Sequence, residues 1–295
     1  VFMKLVTCLY EGQERVGLLA TGGTLEKPAT EAVFLPYPDM NALIEVAAAN
    51  PKVLDQLGEY YYIQGVPLED VTLLAPIPRP RQDVICLGMN YRAHAAEAAQ
   101  YDAEAFTKEA PAVYFSKRVS RAGDPEGVIP CYKGLVKRLD YEAELAVIIS
   151  RTAKNVKAED AGDYIFGYTV LNDVSARDLQ TGHKQWYFGK SLDGFTPMGP
   201  CILTAGKVPF PPALDISCTV NGRERQRSNT SLLIHGIPEI IEELSRGMTL
   251  LPGTIIATGT PAGVGMGMDP PEFLKYGDVV ECVIEDIGTL RSTVQ

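Results

Sequence analysis

Histidine is scarce in this sequence. Only His94, His183 and His235 occur among its 295 residues, which leaves no cluster of imidazoles for a histidine-rich metal site. The six cysteines, Cys8, Cys86, Cys131, Cys201, Cys218 and Cys282, include no C-x-x-C pair, and several sit in apolar stretches such as DVICLG and VVECVIED. They read as reduced core residues, not as a disulfide framework or a zinc site. Positive charge is in deficit, with 27 Lys and Arg against 37 Asp and Glu and a formal net charge of −10. A protein that grips phosphate backbones needs a basic face, so nucleic acid is excluded as a general partner. No run approaches the roughly 20 apolar residues of a membrane span, and no charged stretch followed by an apolar one opens the chain. The expectation is no membrane partner and a cytoplasmic location. Internal repeats and low-complexity tracts are also missing.

What remains is an ordinary globular composition, 46% hydrophobic and 22% charged. Against about 100–200 residues per domain, the length implies one large domain or a small one appended to a large one. If the substrate is anionic, the protein must gather local cations against its own field, namely a metal ion and a few placed Lys or Arg.

The opening, FMKLVTCLYEGQERVGLLATGG, places two apolar β-rich runs around polar Glu11 to Arg15 and reads as a hairpin. The stretch PDMNALIEVAAAN reads as a helix with Asp39 or Asn41 as its cap and an end before Pro51. Pro76, Pro78 and Pro80 then enforce an extended connector. This divides the chain into a small N-terminal domain, 1–75, and a main domain, 76–295. Beyond the connector, short apolar runs bounded by Gly, Pro, Asn and Asp predominate, among them DVICLG, AVYFSK, EAELAVIIS, IFGYTVLND, PMGPCILTA and GTIIATGTP. They predict a curved or doubled β structure. Helical patterns are fewer: Ala93 to Phe106, Ala158 to Ala161, and SLLIHGIPEIIEELSRG with Gly247 as its stop. Strand and helix do not alternate regularly, which argues against a doubly wound nucleotide fold. The fold class is mostly β with some α.

The segment LDYEAELAVIIS carries the first chemical signal. Residues two apart on a strand share a face, so Glu142 and Glu144 project together beside an apolar run. Close carboxylates in such a setting repel unless a cation joins them. A second apolar run, YIFGYTVLND, ends in Asp173. Three acids from two strand ends would make a hard oxygen site for Mg²⁺ or a similar ion, with positions open for water or substrate. From the residues alone, an exposed strand end facing water and a turn-forming aspartate remain open readings.

Seven segments in this order, LGMNYRAHAAE, YFSK, DYEAELAVII, GYTVLNDVSARDLQ, FGKSLDGFTPMGP, VNGRERQ and IIATGTPAGVG, resemble the fumarylacetoacetate hydrolase superfamily over about residues 80 to 290. Within it, the chain looks like the group of acylpyruvases, fumarylpyruvate hydrolases and 2-hydroxyhepta-2,4-diene-1,7-dioate isomerases. The resemblance implies a mixed β-sandwich or roll with a small N-terminal α+β domain, a homodimer, and a divalent metal. That metal is Mg²⁺, with Mn²⁺ or Ca²⁺ as alternatives, held by Glu142, Glu144 and Asp173. It further implies a His94–Glu97 pair that activates water, on a segment that orders as a lid within Arg92 to Ala110. The i, i+3 spacing agrees, since it puts both side chains on one helical face. Lys190 is implied beside the metal and substrate oxygens, and Arg177 and Gln180 on the substrate side. For Arg177, a structural ion pair with Asp178 is an equal alternative. Thr260 matches a position whose hydroxyl or backbone amide meets a bound carboxylate. Tyr91 and Lys117 are candidates for the pocket wall, and His183 and His235 read as structural or surface residues. The glycine-rich loop lacks the Gly-Lys-Ser/Thr ending of a phosphate-binding loop.

The implied substrate is a 2-oxo acid, whose carboxylate and keto oxygens suit a chelating ion. The leading expectation is a metal-dependent hydrolase that cleaves a carbon–carbon bond in an acylpyruvate or fumarylpyruvate type 2,4-dioxo acid. There His94 and Glu97 would activate water, and Lys190 would face the developing negative charge. The alternative is a decarboxylase or isomerase of unsaturated 2-oxo dicarboxylates in aromatic catabolism, or an oxaloacetate decarboxylase. A non-catalytic small-acid binder would retain the fold and metal but would have no use for His94, Glu97 and Lys190 together.

Overall fold

The computed structural model describes residues 3–20, 29–98 and 111–295. Its N-terminal hairpin pairs Lys4–Tyr10 with Gln13–Ala20. The turn is tighter than Glu11 to Arg15, because Glu11 and Gly12 both take left-handed backbone angles, φ 47° and 75°. A two-residue turn of that kind matches the twist of the flanking strands. The helix Met40–Ala49 starts at Asp39, whose side chain accepts from the Ala42 amide at 2.8 Å. Met40, Leu43, Ile44 and Ala47 form its buried stripe.

Among the described residues the larger sheet has eleven strands. In spatial order it runs Val66–Pro67, Glu31–Phe34, Gln13–Ala20, Lys4–Tyr10, Met198–Thr204, Ile165–Asn172, Ala143–Ile149, Ile255–Ala257, Val84–Gly88 and Val113–Lys117, with Thr72–Leu74 attached to Lys4–Tyr10. The N-terminal strands thus extend the same sheet that carries the later ones, through the pairing of Lys4–Tyr10 with Met198–Thr204. The proline connector runs between Thr72–Leu74 and Val84–Gly88. A second sheet of five strands holds Arg223–Asn229, Asp215–Val220, Val279–Ile284, Gly288–Val294 and Gly127–Ile129. This sheet-dominated, layered architecture is the fold class expected from the sequence.

Strand Ala143–Ile149 is buried on both faces. Leu145, Val147 and Ile149 enter the core shared with Ile216, Cys218 and Val280 of the second sheet, whereas Ala146 and Ile148 enter the core shared with Leu43 and Ile44. Alternation along the strand therefore separates two cores, and it assigns Glu142 and Glu144 to the face of Ala146 and Ile148.

Two helical expectations change. The segment from Ser231 starts in a short 3₁₀ turn, Thr230–Leu232, and is not α-helical until Ile237–Gly247, which begins after Gly236 with a proline in its first turn. The preceding residues spend their backbone groups elsewhere: Ile234 N donates to Asn90 O, and His235 N donates to Asn90 Oδ1. Residues 158–164 form a 3₁₀ helix. Of the helix expected over Ala93 to Phe106, Arg92–Ala98 is helical, and the rest, with the remainder of the Arg92 to Ala110 lid segment, lies outside the described residues.

Candidate active site

The three acids converge because two antiparallel strands end together. Glu142 precedes Ala143–Ile149, Asp173 follows Ile165–Asn172, and Ala143 pairs with Asn172. Asn172 secures the junction by accepting from the Glu142 amide through its side chain, and Asp173 N donates to Glu142 O at 2.8 Å. Glu142, Glu144 and Asp173 are all buried, and each offers an oxygen within 4.8 Å of the others.

Buried cations surround the cluster. Lys190 Nζ lies 2.8 Å from both Glu142 Oε2 and Asp173 Oδ2, and Lys117 Nζ lies 2.5 Å from Asp173 Oδ1. Arg177 makes ion pairs with Glu142 Oε1 at 2.7 Å and with Asp140 Oδ2 at 2.9 Å. Burial would raise the Glu142 pKa, but Lys190 and Arg177 outweigh it and hold the carboxyl below its usual range. For Glu144, burial together with the charges of Asp173 and Glu142 outweighs Lys190 and the Gly259 amide and pushes its pKa well up. Burial would lower the Lys190 pKa, yet Asp173 and Glu142 carry it above the ordinary lysine value.

A divalent ion fits this donor set. The oxygens are hard, and among the described residues four buried carboxylates, counting Asp140, pair with three strong cations, Lys117, Lys190 and Arg177. Glu144 Oε2 accepts from the Gly259 amide at 2.8 Å, whereas its Oε1 is buried with no partner. An orphaned carboxylate oxygen beside two other carboxylates is the position a cation would satisfy.

Opposite the cluster, helix Arg92–Ala98 presents His94 and Glu97, with His94 Nδ1 3.0 Å from Glu97 Oε2. The Glu97 carboxylate also accepts from the Gly263 amide at 3.2 and 3.3 Å. It occupies the space that a Cβ on Gly267 would fill, so only glycine at 267 lets this carboxylate dock. His94, Glu97, Glu142, Arg177, Gln180, Lys190 and Thr260 all line one cavity of about 280 Å³.

Other expected contacts resolve differently. Arg177 does not pair with Asp178, because adjacent helical residues point apart. Asp178 instead accepts from the amides of Lys137 and Arg138, and Arg177 Nη1 donates to Gln180 Oε1. The Thr260 hydroxyl is committed, donating to Ala143 O and accepting from Gln226 Nε2. Tyr91 is buried and does not line the cavity, and its hydroxyl has no hydrogen-bond partner. Burial, then the charge of Glu144, raises its pKa. His183 is exposed and meets the Phe188 ring edge-on, and the backbone of His235 holds Asn90.

Two contributors went unnoticed in the sequence. Asp140 accepts from Arg177 Nε and from the amides of Tyr141, Gly265 and Met266, which ties the glycine-rich loop to the acid cluster. Its signal was available, since residues 140, 142 and 144 are acids at alternate positions. Gln226 joins Ala143 to Thr260 and Pro261, and nothing local marks it.

A layered β fold with buried acids at the mouth of two strands, facing a His–Glu pair across a small cavity, defines a class of enzyme. The family model for the fumarylacetoacetate (FAA) hydrolase C-terminal region matches residues 83–295, and the chain belongs to this family. It is 45% identical over 240 residues to the oxaloacetate tautomerase YisK of Bacillus subtilis (strain 168), an alignment covering 81% of this chain and 77% of the relative. Among solved structures it resembles the fumarylacetoacetate hydrolase EaFAH from psychrophilic Exiguobacterium antarcticum, with TM-score 0.81, 36% identity and 99% of each chain covered. It also resembles a 2-hydroxyhepta-2,4-diene-1,7-dioate isomerase from Mycobacterium marinum, with TM-score 0.72, 32% identity and 99% and 98% of the two chains covered.

Proposed function

We propose that the chain is a divalent-metal-dependent enzyme that moves a proton at the carbon beside the keto group of a 2-oxo acid, so that keto and enol forms of an oxaloacetate-type substrate interconvert. The observation that carries this reading is the His94–Glu97 pair sharing one cavity with Lys190 and the Glu142 edge of the acid cluster. The name of the Bacillus subtilis relative supports it.

An ion held by Glu142, Glu144 and Asp173, with Mg²⁺ as the proposed identity, would draw electrons from the carboxylate and keto oxygens and acidify the adjacent C–H. His94, its ring oriented through Nδ1 by Glu97, takes the proton from carbon at Nε2, and the C–H electron pair moves toward the keto oxygen. The Lys190 ammonium faces the negative charge that develops there. Gln180, whose oxygen is occupied by Arg177, keeps its amide N–H groups for the substrate.

Carbon–carbon bond hydrolysis of an acylpyruvate is a second reading. It is favoured by the extent of the cavity, which continues past the charged floor and leaves room for an acyl chain. There His94 would take its proton from the attacking water instead of from carbon.

The test is to follow enol-to-keto conversion of oxaloacetate and loss of acylpyruvate absorbance, each with Mg²⁺ and with chelator. Chelator-sensitive tautomerisation supports the first reading and chelator-sensitive acylpyruvate cleavage the second. Absence of both overturns the proposal.

A further inference from the structure

Glu142, Arg177 and Lys190 form a charged floor to the cavity, which the His94–Glu97 pair faces. Among the described residues the charged groups lining it are His94, Glu97, Glu142, Arg177 and Lys190. Both strong cations are committed to the floor, Lys190 to Glu142 and Asp173 and Arg177 to Asp140 and Glu142. Next to that floor an apolar wall begins. Lys190 Nζ sits 5.2 Å from the centroid of the Phe115 ring, and Phe115 meets the Trp186 ring edge-on at a centroid distance of 5.2 Å. Leu87, Met89, Val264 and Met266 complete the apolar lining.

Trp186 and Lys190 are coupled through the backbone. Trp186 is the N-cap of helix Tyr187–Lys190, and the Lys190 amide donates to Trp186 O at 3.1 Å, so one helical turn carries both. The indole is admitted by Gly88, where any Cβ would overlap the ring.

Resting on the acylpyruvate form of the 2-oxo acid reading above, we propose that Trp186, seated on Phe115 and admitted by Gly88, determines specificity by receiving an uncharged, apolar tail on the substrate beyond the carbons held at the charged floor. A carboxylate far along the tail would lose water against these rings and meet no uncommitted Lys or Arg in the cavity lining among the described residues, so it is disfavoured. Each methylene laid against the wall tightens binding about fourfold.

Trp186 is the only tryptophan in the chain, so its fluorescence reports on this wall directly. The experiment titrates the Mg²⁺-loaded protein with pyruvate, 2-oxohexanoate and 2-oxoadipate, the last two having the same chain length but a methyl or a carboxylate end. The expected result is that 2-oxohexanoate perturbs the fluorescence and binds at least tenfold more tightly than 2-oxoadipate and pyruvate. Gly88→Ala should displace the indole and reduce that preference to less than threefold. Calorimetry on Trp186→Ala should show the same loss. Equal affinity for 2-oxohexanoate and 2-oxoadipate in the wild type, with pyruvate still binding, overturns the specificity assignment alone. Binding of none of the three overturns the 2-oxo acid reading and this inference with it.

Discussion

Glu97 Oε2 lies 3.0 Å from His94 Nδ1, which leaves Nε2 as the ring atom able to exchange a proton in the cavity. The same carboxylate is anchored by the Gly263 amide, so the orientation of the imidazole depends on a loop remote in sequence. His94→Ala should lower turnover by about 10²-fold or more, the usual scale for a general base, with Mg²⁺ affinity unchanged by calorimetry. If carbon–carbon hydrolysis is also present, His94→Ala should reduce it more than metal-assisted decarboxylation of oxaloacetate, which consumes no water in its bond-breaking step. Equal losses would mean that His94 binds substrate instead of moving a proton.

Gly267→Ala tests the docking of Glu97 without touching a reacting group. The added Cβ would overlap the Glu97 carboxylate, so the pair must shift. Loss of activity of about tenfold to a hundredfold is expected from misplacement on that scale, with thermal stability and Mg²⁺ binding close to wild type. Full activity in this variant would show that the His94–Glu97 contact is not needed.

For the metal site, Glu144→Gln should weaken Mg²⁺ and Mn²⁺ binding by at least tenfold in calorimetry, because Glu144 Oε1 is the buried oxygen with no other partner. In the wild type, adding Mg²⁺ should raise the melting temperature and chelator should reverse it, since a ligand that binds only the folded state stabilises it. Unchanged affinity in the variant would move the site elsewhere.

Asp140→Ala should destabilise the fold by about 3–5 kcal/mol in denaturant titration, the range for breaking one partner of a buried ion pair. The substitution strands the Arg177 Nε donor and the amides of Gly265 and Met266. Exposed Arg79, which pairs with Glu14 at the surface, serves as control, and Arg79→Ala should change stability far less, since a solvated ion pair contributes little. Equal effects of the two substitutions would remove Asp140 from any special role in holding the loop.

Much of the acid cluster was written into local sequence. Two glutamates at alternate positions before an apolar run must share a face once that run is a strand, and an aspartate ending a second such run joins them when the strands pair. The helix at Met40–Ala49 and its Asp39 cap were readable for the same reason, because a helical period and a capping side chain involve neighbours only. The partners of these groups were not readable. Lys117 reaches Asp173, Glu97 reaches the Gly263 amide, Gln226 reaches Thr260 and Trp186 fills the space at Gly88, each across a long sequence separation. Arg177 had Asp178 beside it in the chain and chose Asp140 and Glu142. Adjacent side chains on a helix diverge, and burial makes an unpaired charge costly, so the choice of partner was made by strand register and close packing. Periodicity determined which residues could face the cavity, and tertiary structure alone decided what each of them touches there.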